Sequence, residues 1–364
     1  MKIPEEILAS VPKVLLHDHL DGGLRPQTII ELARETRYAG LPSEDPAKVA
    51  RWLHRGARRG NLPIYLEGFR HTCAVLQTEE GLERVAHEMM EDMRRDGVVY
   101  VETRFSPVFH TEGGLHVAEV VQAVLRGLER GKKDFGVEYG LILCAMRNMK
   151  RSLEMAELAL EFRSRGVVGF DLAGEEGGFP PKKHLDAFHT IQRENFNITI
   201  HAGEAFGKES IWQAIQWCGA HRIGHATRLV EDLGFSGRGR KKVVTMGYLA
   251  QYVLDKRIPL EICLTSNVHT GAVRSVRDHP FGLFYRYRYR VTLNTDNRLM
   301  SNTSMTREFR TAVSVFALNL DDLEKLTINA MKSAFLPYSR RIELIYGVIK
   351  PGYARARRRL HRAA

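Results

Sequence analysis

The chain has 364 residues, 44% hydrophobic and 27% charged, the balance of a globular protein with a sizeable core rather than a disordered or fibrous one. Its net charge of +11 invites a nucleic-acid reading, but nine of those excess cations fall in two acid-free segments, residues 237–242 and the tail 353–364, leaving the remainder close to balanced. No aromatic-interleaved basic platform marks a dedicated nucleic-acid binder, no apolar run reaches membrane-spanning length, and Met1-Lys2-Ile3-Pro4 leads into no signal-peptide core. The cysteines Cys73, Cys144, Cys218 and Cys263 are scattered without a C-x-x-C pair, as expected of reduced thiols in a cytoplasmic protein.

Strand-like runs alternate with helix-like patterns along the chain. The spacing predicts strands over residues 13–19, 98–107, 139–147, 167–174, 197–204, 222–226, 259–267 and 290–297. Between most of them apolar residues recur at three- and four-residue spacing, as in Leu153-Ala156-Leu160 and Ile211-Ile215-Cys218. Eight strands with intervening helices are the count of an α/β fold of the (β/α)8 TIM-barrel type, whose active sites form at the C-terminal strand ends. The interval 19–98 is far longer than an ordinary βα connection, so it must hold extra helices, and it leaves the face where such sites form. It is a candidate lid. The expected organisation is one barrel domain over residues 1–352, followed by a basic, disordered tail over 353–364.

Four strings fall where strands should stop: His17-Asp18-His19, His201-Ala202-Gly203-Glu204, Gly224-His225 and Asn294-Thr295-Asp296. In a strand, residues two apart point to the same side, so His17 and His19 face the barrel interior and Asp18 turns away. With His201 and Asp296 they make three imidazoles and a carboxylate, a donor set suited to one zinc ion per chain. Glu204 and His225 remain beside it as an acid–base pair. Alone, Glu204 would read as a helix N-terminal charge and His225 as a core histidine; the shared register of the four strings favours a hydrolytic metal site.

These strings, together with Leu20-Asp21-Gly22-Gly23, Asp171-Leu172-Ala173-Gly174, Thr265-Ser266-Asn267, Thr270-Gly271-Ala272 and Asn297, resemble those of the adenosine deaminase family within the amidohydrolase superfamily. The resemblance runs from about Lys13 to Ile349. It implies that His17, His19, His201 and Asp296 hold zinc, that Glu204 protonates the purine N1 and that His225 orients or deprotonates the attacking water. It further implies substrate contacts from His19, from Asp21 to a ribose hydroxyl, from the Gly174 N–H to the purine and from Asn297 to N7. The implied reaction converts adenosine or 2′-deoxyadenosine to inosine or 2′-deoxyinosine and ammonia, with a small-molecule purine nucleoside as partner and neither nucleic acid nor membrane.

Many family members carry an aspartate where this chain has Asn297, but an asparagine amide donates to N7 without needing a proton, and the residue is similar to that of bacterial members. Asp21 favours a nucleoside lacking a 5′-phosphate, because a carboxylate repels phosphate. The cytidine-deaminase pattern is excluded by the missing Cys-x-x-Cys, and a lysine-bridged binuclear site by the absence of lysine in Asp171-Leu172-Ala173-Gly174. The alternatives are a deaminase of a related aminopurine, such as aminofutalosine or adenine, and a non-catalytic nucleoside-binding barrel.

Overall fold

The computed structural model describes residues 3–237 and 243–363, so the basic positions 238–242 lie outside the described residues. In chain order the strands are β1 Lys13–His19, β2 Val98–Phe105, β3 Glu138–Met146, β4 Val167–Ala173 and β5 Thr199–Ala202. They continue as β6 Arg222–His225, β7 Leu233–Ser236, β8 Val243–Met246, β9 Leu260–Ile262 and β10 Val291–Leu293. Strands β1-β2-β3-β4 form one parallel sheet and β10-β9-β6-β5 a second. Bridges Phe170↔Ile198 and Asp18↔Asp296 join the two sheets into a closed eight-stranded barrel. Every residue of β1 is buried, as expected of a parallel strand covered on both faces. The hairpin β7–β8 is an addition the sequence pattern did not signal.

Around the barrel, amphipathic helices bury one stripe each. The helix Glu79–Arg95 opens on Thr78, whose side chain accepts from Gly81 N, and it buries Leu82, Val85, Ala86, Met89, Met90 and Met93. Acids fill its first turn and arginines its last, complementing the helix dipole. Between β1 and that helix lie the extra helices Pro26–Glu35, Pro46–Ala57, Leu62–Leu66 and Phe69–Val75, and the last two cover the mouth of the barrel. Among the described residues no helix is long and apolar enough to cross a membrane.

Two expectations need correction. The seventh predicted strand, 259–267, ends at Ile262, and Leu264–His269 is a helix, which turns Ser266 and Asn267 into the mouth. The tail is not disordered: Lys350–Ala363 is helical, with Tyr353 and Ala356 buried. Its apolar positions Tyr353, Ala356 and Leu360 share one face of the helix, and they were masked in the sequence by the arginines between them. Tyr353 Oη lies 2.9 Å from Thr327 Oγ1, and Arg357 pairs with Asp321 and Glu324 of the helix Leu320–Ser333.

Candidate metal centre and active site

His17 and His19 leave β1 on one face of the pleat. Asp18 turns the other way, where its Oδ1 accepts from Arg298 Nε at 2.7 Å and Thr295 Oγ1 at 3.2 Å. His201 comes from β5, and Asp296 from the turn after β10, where its backbone takes a left-handed φ of 60°. Asp296 Oδ1 stands 3.4 Å from His17 Nε2 and 3.3 Å from His19 Nε2, and the Nε2 atoms of His19 and His201 are 3.1 Å apart. Donors placed tetrahedrally around zinc would stand roughly 3.3–3.4 Å apart, given its bond lengths to nitrogen. His17 Nε2 is moreover buried with no hydrogen-bond partner. The donor set therefore fits a zinc-sized cation. His17, His201, His225 and Asp296 also form a group whose ligand atoms all lie within 4.8 Å of one another, so His225 crowds the same centre.

Carboxyls behind the rings fix their tautomers. His17 Nδ1 donates to Glu261 Oε2 at 2.8 Å and His201 Nδ1 to Asp171 Oδ2 at 3.0 Å, which turns both Nε2 lone pairs toward the centre. Arg104, wholly buried on β2, reaches Asp171 Oδ2 and Glu261 Oε2, each at 3.0 Å. Against their burial, His201 and Arg104 hold Asp171 well below the usual carboxylate range, and Arg104 and Arg222 do the same for Glu261. Burial and the Arg104 charge push His17 down to about 4, so at neutral pH it is a neutral imidazole, the form a metal needs.

A second relay fixes His225. The Phe281 backbone N–H donates to His279 Nδ1 at 2.9 Å, leaving the proton on His279 Nε2, 3.1 Å from Asn267 Oδ1. Burial pushes His279 down to about 3, so it stays neutral. The Asn267 amide nitrogen then donates to His225 Nδ1 at 3.0 Å. His225 therefore carries its proton on Nε2, which lies 3.5 Å from Glu204 Oε2. Gly224 just before it makes room for neighbours: a Cβ there would stand 3.0 Å from the His17 ring and 3.2 Å from His201 Cα. The glycine serves close packing of the histidines.

Glu204 is buried, and burial raises its pKa. Thr270 Oγ1 donates to its Oε1 at 2.8 Å. Its loop is anchored by Glu176, whose buried carboxyl accepts from the backbone nitrogens of Gly203, Glu204, Ala205 and Phe206 at 2.6, 3.0, 2.7 and 2.9 Å. A cavity of about 700 Å³ opens above the centre and is lined by His19, Asp21, Gly174, Glu204, His225 and Asn297, with Leu62, Tyr65 and Phe69 from the covering helices. Asp21 Oδ2 lies 3.7 Å from His110 Nε2 and 3.8 Å from Cys73 Sγ, and its Oδ1 has no partner. Asn297 Oδ1 is likewise unpartnered, and it packs so near Gly22 that a Cβ there would lie 2.1 Å away.

All the residues singled out in the sequence thus converge on one end of the barrel. The family model described as adenosine deaminase matches residues 12–351. The chain belongs to the adenosine deaminase family. Adenosine deaminase 1 of Streptomyces coelicolor is 55% identical over 348 residues, covering 94% of this chain and 87% of that one. The adenosine deaminase of Mycobacterium avium is 51% identical over 355 residues, covering 96% and 97%. Among solved structures, the adenine deaminase of Arthrobacter aurescens matches with a TM-score of 0.83 at 26% identity, covering 93% of this chain and 98% of that one. An Arabidopsis N6-mAMP deaminase matches at 0.79 and 28% identity, covering 94% and 98%.

Sequence reasoning missed the supports of this adenosine deaminase family site: Arg104, Glu261, Glu176 and His279. Arg104 and Glu261 were visible only as charges inside apolar strand runs, which for a wholly buried position signals pairing. Glu176 stood within Glu175-Glu176-Gly177-Gly178, where nothing pointed to a loop 27 residues away.

Proposed function

We propose that this chain catalyses the zinc-dependent hydrolytic deamination of adenosine and 2′-deoxyadenosine, giving inosine or 2′-deoxyinosine and ammonia. The observation that carries this reading is the convergence of His17, His19, His201 and Asp296 on one centre, with Glu204 and His225 on its cavity side. We take His19 rather than His225 as the fourth ligand: His19 Nε2 touches both Asp296 and His201, whereas the His225 Nε2 carries a proton. A bound zinc supplies Lewis acidity that makes water a nucleophile at neutral pH.

The chain's own groups do the rest. Thr270 and Asn267 both donate to Glu204 Oε1, so Oε2 is the oxygen free to carry a proton, and burial favours the protonated form. Glu204 gives that proton to the purine N1 as water adds at C6, and its carboxylate then takes the proton the water loses. The C6–N bond breaks as the new C6 hydroxyl becomes a carbonyl and its proton leaves with the amino group as ammonia. His225 orients the attacking water through its Nε2–H. Asp21 receives a ribose hydroxyl, and its carboxyl disfavours a 5′-phosphate; Gly174 and Asn297 contact the purine. Unpaired cysteines accord with a cytoplasmic setting.

The test is metal analysis of the purified protein combined with a spectrophotometric assay on adenosine and a substrate panel including adenine, AMP and aminofutalosine. One zinc per chain with adenosine or deoxyadenosine as the best substrate is expected. Full activity without metal, or a preference for adenine or AMP, would overturn the reading.

A further inference from the structure

Positive charge is gathered in a place that counting along the chain does not reveal. At the face where the barrel strands begin, opposite the metal centre, residues preceding β4, β5, β6, β9 and β10 join the turn at 332–337 around an open concavity of about 760 Å³. Lys256, Arg257, Arg290, Lys332 and Arg341 line it, and no aspartate or glutamate does. Among the described residues none of these five has a carboxylate at ion-pair distance. The polar contacts they make are with neutral groups: Arg257 donates to the Arg288 carbonyl, Arg341 to the Lys332 carbonyl, and Lys256 lies over the Tyr252 ring. Nε of Arg290 and Nε of Arg341 are buried without any partner. Burial and the like charges of Arg257 and Arg341 lower the Arg290 pKa, the mark of guanidiniums packed together with nothing to offset them. Two other cations on the rim are already satisfied, Arg222 by Glu102 and Glu261 and Arg163 by Glu194.

We propose that this concavity is a binding site for a small polyphosphorylated anion. Guanidinium forks match phosphate oxygens in geometry and charge, and Arg257, Arg290 and Arg341 present three of them together. The volume lies within the roughly 300–1,000 Å³ of small-ligand sites, so it suits a compact ligand rather than a long polymer groove. Five uncompensated cations call for several negative charges in one molecule, which a chain of phosphoryl groups carries and a monoanion does not. A nucleoside triphosphate and an inorganic polyphosphate share this chemistry. The site is separate from the metal centre and does not depend on the substrate assigned above.

Calorimetric titration of the full-length, metal-loaded protein tests it, with inorganic tripolyphosphate, cytidine triphosphate and orthophosphate as separate probes and metal content measured afterwards to exclude stripping. About one saturable site per chain is expected for the first two, weakening as salt rises, with orthophosphate at least about tenfold weaker. Tighter binding of the cytidine compound would assign the nucleotide, and equal binding the phosphate chain alone. Arg257→Gln with Arg290→Gln should weaken binding at least about tenfold while keeping the circular dichroism and melting temperature. Should that pair fail to fold, Lys332→Gln reads the same site from an exposed position. Arg355→Gln with Arg358→Gln, exposed on the C-terminal helix, should change nothing. No saturable binding, unchanged binding in the cavity variants, or a single-stranded oligonucleotide displacing tripolyphosphate from the site would overturn the proposal.

Discussion

Strands β1, β2, β3 and β4 run for 7, 8, 9 and 7 residues, whereas β5, β6, β9 and β10 run for 4, 4, 3 and 3. The short half holds most of the proposed chemistry: His201, Glu204, His225, Asn267 and Asp296 all lie on or just beyond its strands. It also holds the unusual backbone, with His225, Ala226 and Asp296 at φ 66°, 53° and 60°. Left-handed conformations cost L-residues energy and persist where surrounding structure over-determines them. The long half supplies part of that surrounding structure: His17 and His19 of β1 bond the Asp296 backbone, and Arg104 on β2 with Asp171 on β4 holds His201, while Ala226 is bonded within the short half to Ala202. Regular strands hold position, and curtailed ones turn their last side chains into the mouth.

Experiments can break this division, from the largest effect to the smallest. Glu204→Gln should keep metal and substrate affinity and lose at least about 10²-fold in turnover; near-normal turnover would remove the acid from the mechanism. Asn267→Asp replaces the donor facing His225 Nδ1 with an acceptor, so the ring should shift its proton to Nδ1. Turnover should fall by at least about tenfold with KM little changed, and nitrogen NMR shifts of His225 should report the new tautomer.

Glu176→Gln leaves one acceptor oxygen for four backbone nitrogens. It should slow turnover several-fold, keep zinc content, and speed amide exchange over residues 203–206; unchanged exchange would show that the carboxyl does not hold the loop. Glu308, buried beside Thr303 and Thr265, has its carboxyl pushed up to about 7 by burial, from an ordinary 4.5. Since the folded state holds that proton more tightly than the unfolded chain, the group's contribution is most favourable below about 4.5 and declines as pH rises through about 7. Glu308→Gln should flatten that decline in melting temperature, and parallel pH profiles would refute the assignment. Smallest of all, Ala226→Gly should leave stability within about 0.5 kcal/mol, because relief of the left-handed strain offsets the lost methyl. The same change at Ala145 on β3 should cost roughly 1–2 kcal/mol in denaturant unfolding.

The residues proposed to hold the metal could be picked out because each lies at the end of an apolar run, where one strand's period fixes which way a side chain points. Their supports were not, because Glu261 to Arg104 and Glu176 to Gly203 are contacts that only the closed barrel creates. The helix Lys350–Ala363 was hidden for a different reason: five arginines are interleaved with its apolar residues, and only the acids of Leu320–Ser333 show what Arg357 faces. The cationic concavity was invisible to charge counting along the chain, since Lys256 and Arg257, Arg290, and Lys332 with Arg341 come from separate segments that only the closed barrel brings together.

The barrel is closed by backbone bridging at two places, Asp18↔Asp296 and Phe170↔Ile198, and the side chains of the centre span both. At one, His17 and His19 face Asp296; at the other, Asp171 on β4 grips His201 on β5 at 3.0 Å. In folding terms, the chain can complete each half-sheet from neighbouring segments, but the final closure joins its two ends and so carries the largest loop entropy. A cation held by the proposed ligands across that last joint would act as a rivet for the whole topology. The His19 N–H bonded to the Asp296 carbonyl and the Asp296 N–H bonded to the His17 carbonyl then become gauges of occupancy. Their hydrogen exchange should quicken on chelation before any other barrel amide responds, so the integrity of the centre can be followed without a substrate.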